Sequence, residues 1–220
     1  MSSSEKSSWF ARLYDPLMAP IELLSMRRVR RRVVADAPGL VLEVGAGTGL
    51  NLLHYRAARQ VIATDPAPAM LFQARHRARA ASVPVRLVVG DAQSLPFADG
   101  AFDTVVATCV FCTVSEPEQG FREIRRVLKP GGELRLLEHV RAPQPWIARL
   151  QNRLTPGWSR LAGGCRLNRP TLETVARAGF SVEQLETRFG GIVVQARLRL
   201  NGVPEMHDRS KTTADAPTRG

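Results

Sequence analysis

Three glycines at alternate positions are the residues whose type and spacing first suggest chemistry in this chain. Gly45, Gly47 and Gly49 follow the strand-favouring residues 41–44 in the stretch VLEVGAGTGL. A glycine-rich loop between a strand and a helix lets backbone N–H groups approach a nucleotide closely. The dinucleotide fingerprint needs glycine or alanine where this chain has Leu50, whose branched side chain would obstruct helix–strand packing. The loop therefore predicts a nucleotide site unlike that of common NAD enzymes, with a simple glycine turn as the structural alternative.

Two aspartates follow the next two predicted strands. Asp65 ends the stretch IATD, and Asp91 follows in GDA. A carboxylate has two acceptor oxygens, so Asp65 could accept hydrogen bonds from both hydroxyls of a ribose, and Asp91 could accept one from the amine of an adenine. Either residue alone would more often cap a helix or make a turn. Ligands of open α/β sheets bind at the carboxyl ends of the strands, so the loop and both acids together predict an adenosine site.

Strands and helices must alternate to position these residues. Short apolar runs rich in β-branched residues predict strands at residues 40–44, 60–63, 85–89, 102–108 and 133–138. Helical patterns cover residues 50–57, 67–81, 117–128 and 170–178. Residues 180–188 and 192–200 are predicted to form an antiparallel hairpin that closes the sheet. The alternation predicts a parallel sheet with helices on both faces.

Four stretches of residues 38–140 resemble the sequential motifs of class I S-adenosylmethionine-dependent methyltransferases. They are VLEVGAGTG, ATDPAPAM, GDAQSLPFADGAFDTVV and REIRRVLKPGGELRLLEHV. The resemblance implies an α/β fold with a Rossmann-like, doubly wound seven-stranded sheet, mostly parallel with an antiparallel last strand. It also implies S-adenosylmethionine as the cofactor and a small molecule as the methyl acceptor.

The same resemblance implies a set of cofactor-binding residues. The methionine portion would lie among Glu43, Ala46 and the three glycines, and the ribose would lie at Asp65. Residues near the adenine would be Met70, Asp91 and Ala92, and the methyl group would face the loop after the fourth strand. The full set that we carry over is Glu43, Gly45, Ala46, Gly47, Gly49, Asp65, Pro66, Met70, Asp91, Ala92, Thr108, Cys109 and Val110.

His139 is the candidate catalytic residue, because it ends the fifth predicted strand in EHV. A histidine can accept a proton near neutral pH, and the adjacent Glu138 could orient it. A hydroxyl acceptor usually needs such a base, whereas a thiol with a pKa of about 8.5 needs only modest help. The structural alternative is a polar side chain that ends a strand and bonds to backbone.

Apolar residues in two segments predict a lipophilic acceptor pocket. Tyr14 and Met18 lie in the N-terminal stretch WFARLYDPLMAP, and Trp146 and Trp158 lie in a long connection at residues 141–169 that we interpret as a lid. If both segments fold over the crevice, these four residues and His139 would contact the acceptor. Alternatively, they close the core over the cofactor.

The run of EHV, GC-x-LNR-x-T and AGF narrows the resemblance to one subgroup. It is similar to animal membrane-associated thiol S-methyltransferases and their bacterial relatives, although the N-terminal membrane anchor of the animal proteins is not found here. S-methylation of a lipophilic thiol is therefore favoured. Phospholipid N-methylation, quinone C-methylation and a non-enzymatic adenosine-binding scaffold remain as alternatives.

The cysteines and the charge distribution give weaker signals. Three cysteines do not indicate a disulfide framework. Cys109-x-x-Cys112 follows a strand and has no second pair at zinc-site spacing, so no metal is predicted. The net charge of +11 is dispersed except at residues 27–32. That cluster is interpreted as a solvated helix face with Val29 and Val33 turned inward, rather than a membrane or nucleic-acid contact.

These signals define the expected organisation of the chain. Residues 1–37 would form an N-terminal helical cap, residues 38–203 the methyltransferase domain, and residues 204–220 a disordered tail. No apolar run approaches the ~20 residues that a membrane span needs, and the N-terminus lacks the pattern of a secretory signal. A cytoplasmic protein without nucleic-acid partners is expected, and the oligomeric state stays open.

Overall fold

Seven strands form one sheet in the computed structural model, which describes residues 26–161 and 163–200. The strands are β1 (Gly39–Val44), β2 (Ala58–Asp65), β3 (Val85–Val89), β4 (Phe102–Thr108), β5 (Leu128–His139), β6 (Phe180–Arg188) and β7 (Val193–Leu200). Their order across the sheet is β3-β2-β1-β4-β5-β7-β6. The pairs from β3 to β5 are parallel, and β7 is antiparallel to both of its neighbours. The doubly wound, mostly parallel sheet with an antiparallel last strand is confirmed.

Five helices flank the sheet among the described residues. They are α1 (Arg27–Val34), α2 (Pro68–Ala80), α3 (Pro117–Val127), α4 (Pro145–Leu161) and α5 (Thr171–Arg177). Proline stands at the first turn of α2 and of α3, where its missing N–H costs nothing and its fixed φ suits the helix. The helices predicted at residues 67–81, 117–128 and 170–178 are confirmed within one residue at each end.

The helix predicted at residues 50–57 is wrong, because this segment forms consecutive turns instead. Leu52 donates its N–H to the Gly49 carbonyl and His54 donates its N–H to the Asn51 carbonyl, each a contact between residues three apart. The backbone N–H groups of Arg56 and Ala57 both bond to the Ala35 carbonyl, which ends α1. Tertiary contacts thus override a helical pattern that is only about two turns long.

The core lies on both faces of the sheet. On one face, residues of β4 and β5 pack with Phe121, Ile124 and Val175 from α3 and α5. On the other face, β1 and β2 pack with Val29 and Val33 from α1. Burial on both faces explains the nearly continuous apolar runs of the central strands.

The closing hairpin lies at one edge of the sheet, as predicted. β6 and β7 are paired antiparallel and joined by a 3₁₀ turn at Phe189–Gly191, as expected. β7 inserts between β5 and β6, so β6 rather than the last strand forms the edge of the sheet. Most residues of β6 are exposed, whereas every second residue of β7 is buried.

The arginine-rich segment forms the helix α1. Val29 and Val33 are buried as predicted, and Arg27, Arg28, Arg31 and Arg32 are exposed. Arg30 departs from the prediction, because its side chain is buried. Among the described residues, no helix combines the length and apolar character needed to cross a bilayer. The predicted N-terminal cap with Tyr14 and Met18 lies outside the described residues, except for α1 and the residues beside it, and so does the predicted tail.

Candidate active site

The glycine loop after β1 has the backbone conformation that its residues suggested. Gly45, Gly47 and Gly49 have φ angles of +64°, +56° and +83°, values that residues with a Cβ rarely adopt. A Cβ on Gly45 would lie 2.6 Å from a methyl of Val110, and one on Gly49 would lie 2.8 Å from a methyl of Leu52. Among the described residues, no atom beyond the two chain neighbours lies within 4 Å of the Cβ position of Gly47, so a ligand can approach the backbone there.

Asp65 connects this loop to the end of β2. Its Oδ2 accepts the N–H of Gly47 at 3.0 Å, and its Oδ1 accepts the N–H of Ala67 at 2.9 Å. Burial raises the pKa of this carboxyl, although both backbone hydrogen bonds oppose the rise. Each oxygen accepts one bond and keeps a further lone pair, so Asp65 can hold the loop and still accept two hydroxyls.

The third strand end supplies Asp91, an exposed residue that follows β3. Its Oδ1 accepts the N–H of Gln93 at 2.9 Å, which fixes the side chain in a turn. The next residue, Ala92, is buried, whereas Pro66 is exposed and Met70 is half-buried near the start of α2. β1, β2 and β3 are neighbours, so the loop, Asp65 and Asp91 lie along one edge, and these groups fit the adenosine part of S-adenosylmethionine.

Glu43 and Thr108 lie in a buried network beneath the glycine loop. The carboxylate of Glu43 accepts bonds from Asn51 Nδ2 and from the Tyr55 hydroxyl, each at 2.9 Å. Thr108 Oγ1 accepts bonds from Arg30 at 2.8 Å and from Asn51 at 2.9 Å. Burial raises the pKa of Glu43 to about 7, because it outweighs the hydrogen bonds and the charge of Arg30. The network supports the loop from below, and sequence analysis did not identify Arg30, Asn51 or Tyr55 in it.

Glu138 fixes the loop that follows β4. Its Oε1 accepts the N–H of Val110 at 2.6 Å and that of Phe111 at 2.9 Å. Burial raises the pKa of Glu138 to about 7, and the hydrogen bonds oppose this shift. Cys109, at the start of the loop, has a φ of 57° and donates its N–H to the Leu137 carbonyl at 2.7 Å. Glu138 therefore positions the post-β4 loop, rather than orienting His139 as the sequence suggested.

His139 instead contacts a cysteine of the predicted lid. Its Nε2 lies 3.1 Å from the Sγ of Cys165, and the indole N–H of Trp158 donates to the same sulfur at 3.3 Å. The Sγ of Cys112, a ring nitrogen of His139 and the Sγ of Cys165 all lie within 4.8 Å of one another. We call these three residues the Cys–His cluster. No local sequence pattern indicates this cluster, because its members come from three segments far apart in the chain.

The three side chains shift one another's pKa values. A hydrogen bond from Cys112, supported by contacts with His139 and Trp158, lowers the pKa of Cys165 despite its burial. The same interaction, with burial, raises the pKa of Cys112. Burial alone would lower the pKa of His139, but the hydrogen bond and charge of Cys165 raise it. The arrangement favours a Cys165 thiolate beside a protonated His139, with the remaining thiol proton on Cys112.

Hydrogen bonds between segments hold the cluster together. The N–H of Arg166 donates to the Cys112 carbonyl at 2.8 Å, and the guanidinium of Arg169 donates to the Val114 carbonyl at 2.6 Å. On α4, the buried Gln151 accepts the Ala142 N–H at 2.8 Å and donates to the carbonyls of Val140 and Leu167 at 3.0 and 2.9 Å. The lid is thus tied to β5 and to the post-β4 loop.

Four apolar residues of the lid lie along one face of α4. Trp158 contacts Cys165 through its indole nitrogen and can line an acceptor site beside the cluster. Trp146, at the other end of α4, is 67% exposed. Leu150 and Leu154 are also exposed on this helix. The four side chains recur every four residues along α4 and form an exposed apolar stripe.

Comparison with known proteins agrees with this geometry. Residues 42–136 match the family described as "Methyltransferase domain". Human thiol S-methyltransferase TMT1B is 33% identical over 182 residues, which cover 77% of this chain and 75% of that protein. The rat enzyme of the same name is 38% identical over 150 residues, 66% of this chain but only 62% of that protein's length.

A bacterial relative is named for a different methyl acceptor. Phosphatidylethanolamine N-methyltransferase of Cereibacter sphaeroides is 36% identical over 155 residues, which cover 66% of this chain and 75% of that protein. The crystal structure of a SAM-dependent methyltransferase of Thermotoga maritima superposes with a TM-score of 0.66 at 21% identity, covering 88% of this chain and 97% of that one. The latter likeness shows the fold alone. The chain therefore belongs to the class I S-adenosylmethionine-dependent methyltransferases, enzymes that take their methyl group from S-adenosylmethionine.

Proposed function

We propose that this methyltransferase methylates the sulfur of a lipophilic thiol and that His139 promotes loss of the thiol proton. The observation that carries this proposal is the position of the Cys–His cluster. It lies at the carboxyl ends of β4 and β5, next to the strand β1 that carries the glycine loop. The human and rat relatives are thiol S-methyltransferases, which also supports a thiol acceptor.

The protein's contribution follows from the chemistry of methyl transfer. When bound, the cofactor supplies an electrophilic methyl group on a sulfonium. The acceptor sulfur forms a new S–CH3 bond while the bond to the sulfonium sulfur breaks, and the thiol proton goes to solvent. Such a displacement needs alignment and exclusion of water, which the buried Val110 and the indole of Trp158 can provide. Only the thiolate is strongly nucleophilic, and the positive charge of a protonated His139 would favour deprotonation of an acceptor thiol nearby.

Product analysis tests this proposal directly. The purified chain is incubated with S-adenosylmethionine and, separately, with alkyl thiols, aminophospholipids and quinols. We expect a methyl thioether and S-adenosylhomocysteine in equal amounts from the alkyl thiols. Methylation of aminolipids or quinols with no thiol product would show that the acceptor is wrong. Cofactor binding without transfer to any acceptor would favour a scaffold.

A variant of His139 tests its role in this reaction. We expect His139→Ala to lower kcat for thiol methylation by about 10²-fold or more, the range for loss of a group that stabilises the reacting charge electrostatically. Cofactor binding, measured by calorimetry with S-adenosylhomocysteine, should remain within about threefold of the unaltered protein, because no cofactor contact is assigned to His139. Unchanged turnover of His139→Ala would show that His139 has only a structural role.

One surface feature favours the phospholipid alternative. A groove is lined by Arg27, Arg28 and Arg31 of α1, with His54, Arg56 and Arg77 beside them. Such a cluster attracts the phosphate of a lipid headgroup, and the relative from Cereibacter sphaeroides has a phospholipid acceptor in its name. If the aminolipid is the acceptor, Arg28→Glu with Arg31→Glu should raise its KM, whereas methylation of a soluble thiol should not respond.

A further inference from the structure

The Cys–His cluster has the composition and dimensions of a metal site. Zinc–ligand bonds of about 2.3 Å to sulfur and about 2.0 Å to nitrogen at tetrahedral angles place sulfur and nitrogen about 3.6 Å apart and two sulfurs about 3.8 Å apart. The Nε2 of His139 and the Sγ of Cys165 are 3.1 Å apart, and all three ligand atoms lie within 4.8 Å of one another. To place the three atoms around one ion, the first pair would have to separate by about 0.5 Å and the distances from the Sγ of Cys112 would have to shorten by at most about 1.2 Å.

The number and kind of ligands indicate which metal and which kind of site. Two thiolates and an imidazole suit zinc and other soft or borderline ions, whereas magnesium and calcium prefer oxygen. Structural zinc sites are closed by four protein ligands, whereas catalytic sites have three and leave one position open. Cys112, His139 and Cys165 supply three, and the last two are only half-buried, so a fourth ligand can reach the ion from solvent.

Neighbouring groups hold the ligands in place. The indole N–H of Trp158 donates to the Sγ of Cys165 at 3.3 Å, a contact that orients a sulfur ligand. The N–H of Arg166 bonds to the Cys112 carbonyl at 2.8 Å, so the segments that carry the two cysteines are joined directly. Sequence analysis predicted no metal because it considered only Cys109 and Cys112 as a pair, whereas the structure brings Cys112 to partners from β5 and the lid.

We propose that Cys112, His139 and Cys165 bind one zinc ion whose fourth position receives the sulfur of the thiol acceptor. The binding of zinc depends only on the cluster, whereas the role of the fourth position rests on the proposed function. In this arrangement His139 promotes loss of the thiol proton through the metal.

Deprotonation and methylation of the acceptor thiol require no oxidant or reductant. The acceptor thiol binds zinc, its S–H bond breaks and the proton goes to water, so the acceptor is held as a thiolate. Zinc is neither oxidised nor reduced. Methylation converts the thiolate into a neutral thioether, which is a weaker ligand and leaves, and the fourth position is open again.

Cobalt binding tests the site without reference to catalysis. The full chain is reduced, stripped with a chelator and titrated with Co²⁺, which gives a thiolate-to-cobalt absorption band. We expect one Co²⁺ per chain and displacement by one Zn²⁺. Cys112→Ser, Cys165→Ser and His139→Ala should each weaken cobalt binding at least tenfold. Cys109→Ser, which changes a cysteine outside the cluster, should leave the band and the affinity unchanged. Circular dichroism confirms that each variant is folded.

The outcomes separate the metal site from the thiol reaction. If the reduced chain does not bind stoichiometric cobalt, the metal site is wrong. It is also wrong if Cys112→Ser, Cys165→Ser and His139→Ala bind cobalt as tightly as the unaltered chain. Addition of an alkyl thiol without cofactor should shift the cobalt band if the fourth position takes the acceptor. Tight cobalt binding with no thiol product under any condition would leave the metal site standing and contradict the thiol acceptor. Full thiol turnover by the metal-free chain would overturn the role of zinc while supporting the thiol acceptor.

Discussion

Asp65 illustrates how one side chain both builds the candidate site and remains available to a ligand. Its two oxygens bond to the N–H groups of Gly47 and Ala67, which fixes the glycine loop against the end of β2. The remaining lone pairs point to a ribose as the natural ligand, since a diol can donate to both oxygens of one carboxylate.

We expect Asp65→Ala to weaken binding of S-adenosylhomocysteine at least tenfold. The change removes the proposed contacts to the ribose and also releases the N–H of Gly47, so the loop loses its anchor. Asp65→Asn keeps one acceptor oxygen and should weaken binding less. Isothermal titration measures both variants, and an unchanged Kd in a folded Asp65→Ala protein would show that Asp65 is not at the ribose.

The buried carboxyl of Glu43 should make stability depend on pH. Burial raises its pKa to about 7, above the usual value of about 4.3, so the folded state favours the protonated form. The corresponding stability is fully present below the unfolded pKa and is lost as pH rises through about 7. A shift of this size corresponds to about 4 kcal/mol. Between about pH 5 and pH 8, the free energy of unfolding should therefore decrease less with rising pH in Glu43→Gln than in the unaltered protein.

Tyr55→Phe supplies the matched comparison for this effect. The Tyr55 hydroxyl donates to Glu43 and lowers the pKa of that carboxyl. Its loss should move the midpoint of the stability change to higher pH. Urea unfolding across this range measures both variants, and an identical pH profile for the unaltered protein and Glu43→Gln would contradict the assignment.

At the residue scale, site residues that belong to a local sequence pattern were predictable, and site residues outside such a pattern were not. The glycines and the two aspartates follow strands, so their position along the sheet edge was predictable from the order of elements. Arg30 lies within a run of exposed arginines, and nothing in that run distinguishes the one that bonds to Thr108. Cys165 contacts His139 because α4 and the loop after it fold back over the end of β5.

At the scale of elements, one buried side chain of α4 anchors the lid on the side of β5. Gln151 is 6% exposed and bonds to Val140 and Ala142 before α4 and to Leu167 after it. It therefore connects the end of β5, where His139 lies, to the segment that carries Cys165.

We expect Gln151→Ala to lower the free energy of unfolding by about 1–3 kcal/mol, because buried backbone groups would lose their partner. Asn152→Ala is the control: Asn152 is exposed, and its contact is an exposed hydrogen bond to Asn168, so the change should be within about 0.5 kcal/mol. Urea denaturation compares the two. Equal effects would mean that Gln151 does not anchor the lid.

Element prediction succeeded where the strand pattern is local and failed where a tertiary contact replaced the pattern. The observed bounds were predicted for β4, which is buried on both faces, and also for β3 and β6, which have few buried residues. Residues 50–57 also have helix-favouring composition, but Asn51 and Tyr55 are drawn to Glu43. A short amphipathic segment cannot offset such buried polar contacts, and the sequence does not show where its polar side chains bond.

At the scale of the whole molecule, the order of the strands places the proposed nucleotide site beside the Cys–His cluster. β1 lies between β2, which ends at Asp65, and β4, which leads to the post-β4 loop. The chain reverses its winding direction between β1 and β4, and the crevice at such a switch point is where open α/β sheets bind ligands. The nucleotide residues lie on the β3 side of this point, and the Cys–His cluster lies on the β5 side.

Because ligand contacts come from several strands of one sheet, binding should stabilise the described domain as a unit. At a concentration of 100 times its Kd, S-adenosylhomocysteine should add about 2.7 kcal/mol to the free energy of unfolding. For a domain of this size that corresponds to a rise in Tm of about 5–10 °C. NAD⁺ at the same concentration should give no rise, because Leu50 replaces the small third residue of the dinucleotide fingerprint. Differential scanning calorimetry measures both shifts, and an equal rise with NAD⁺ would contradict the assignment of the loop to S-adenosylmethionine.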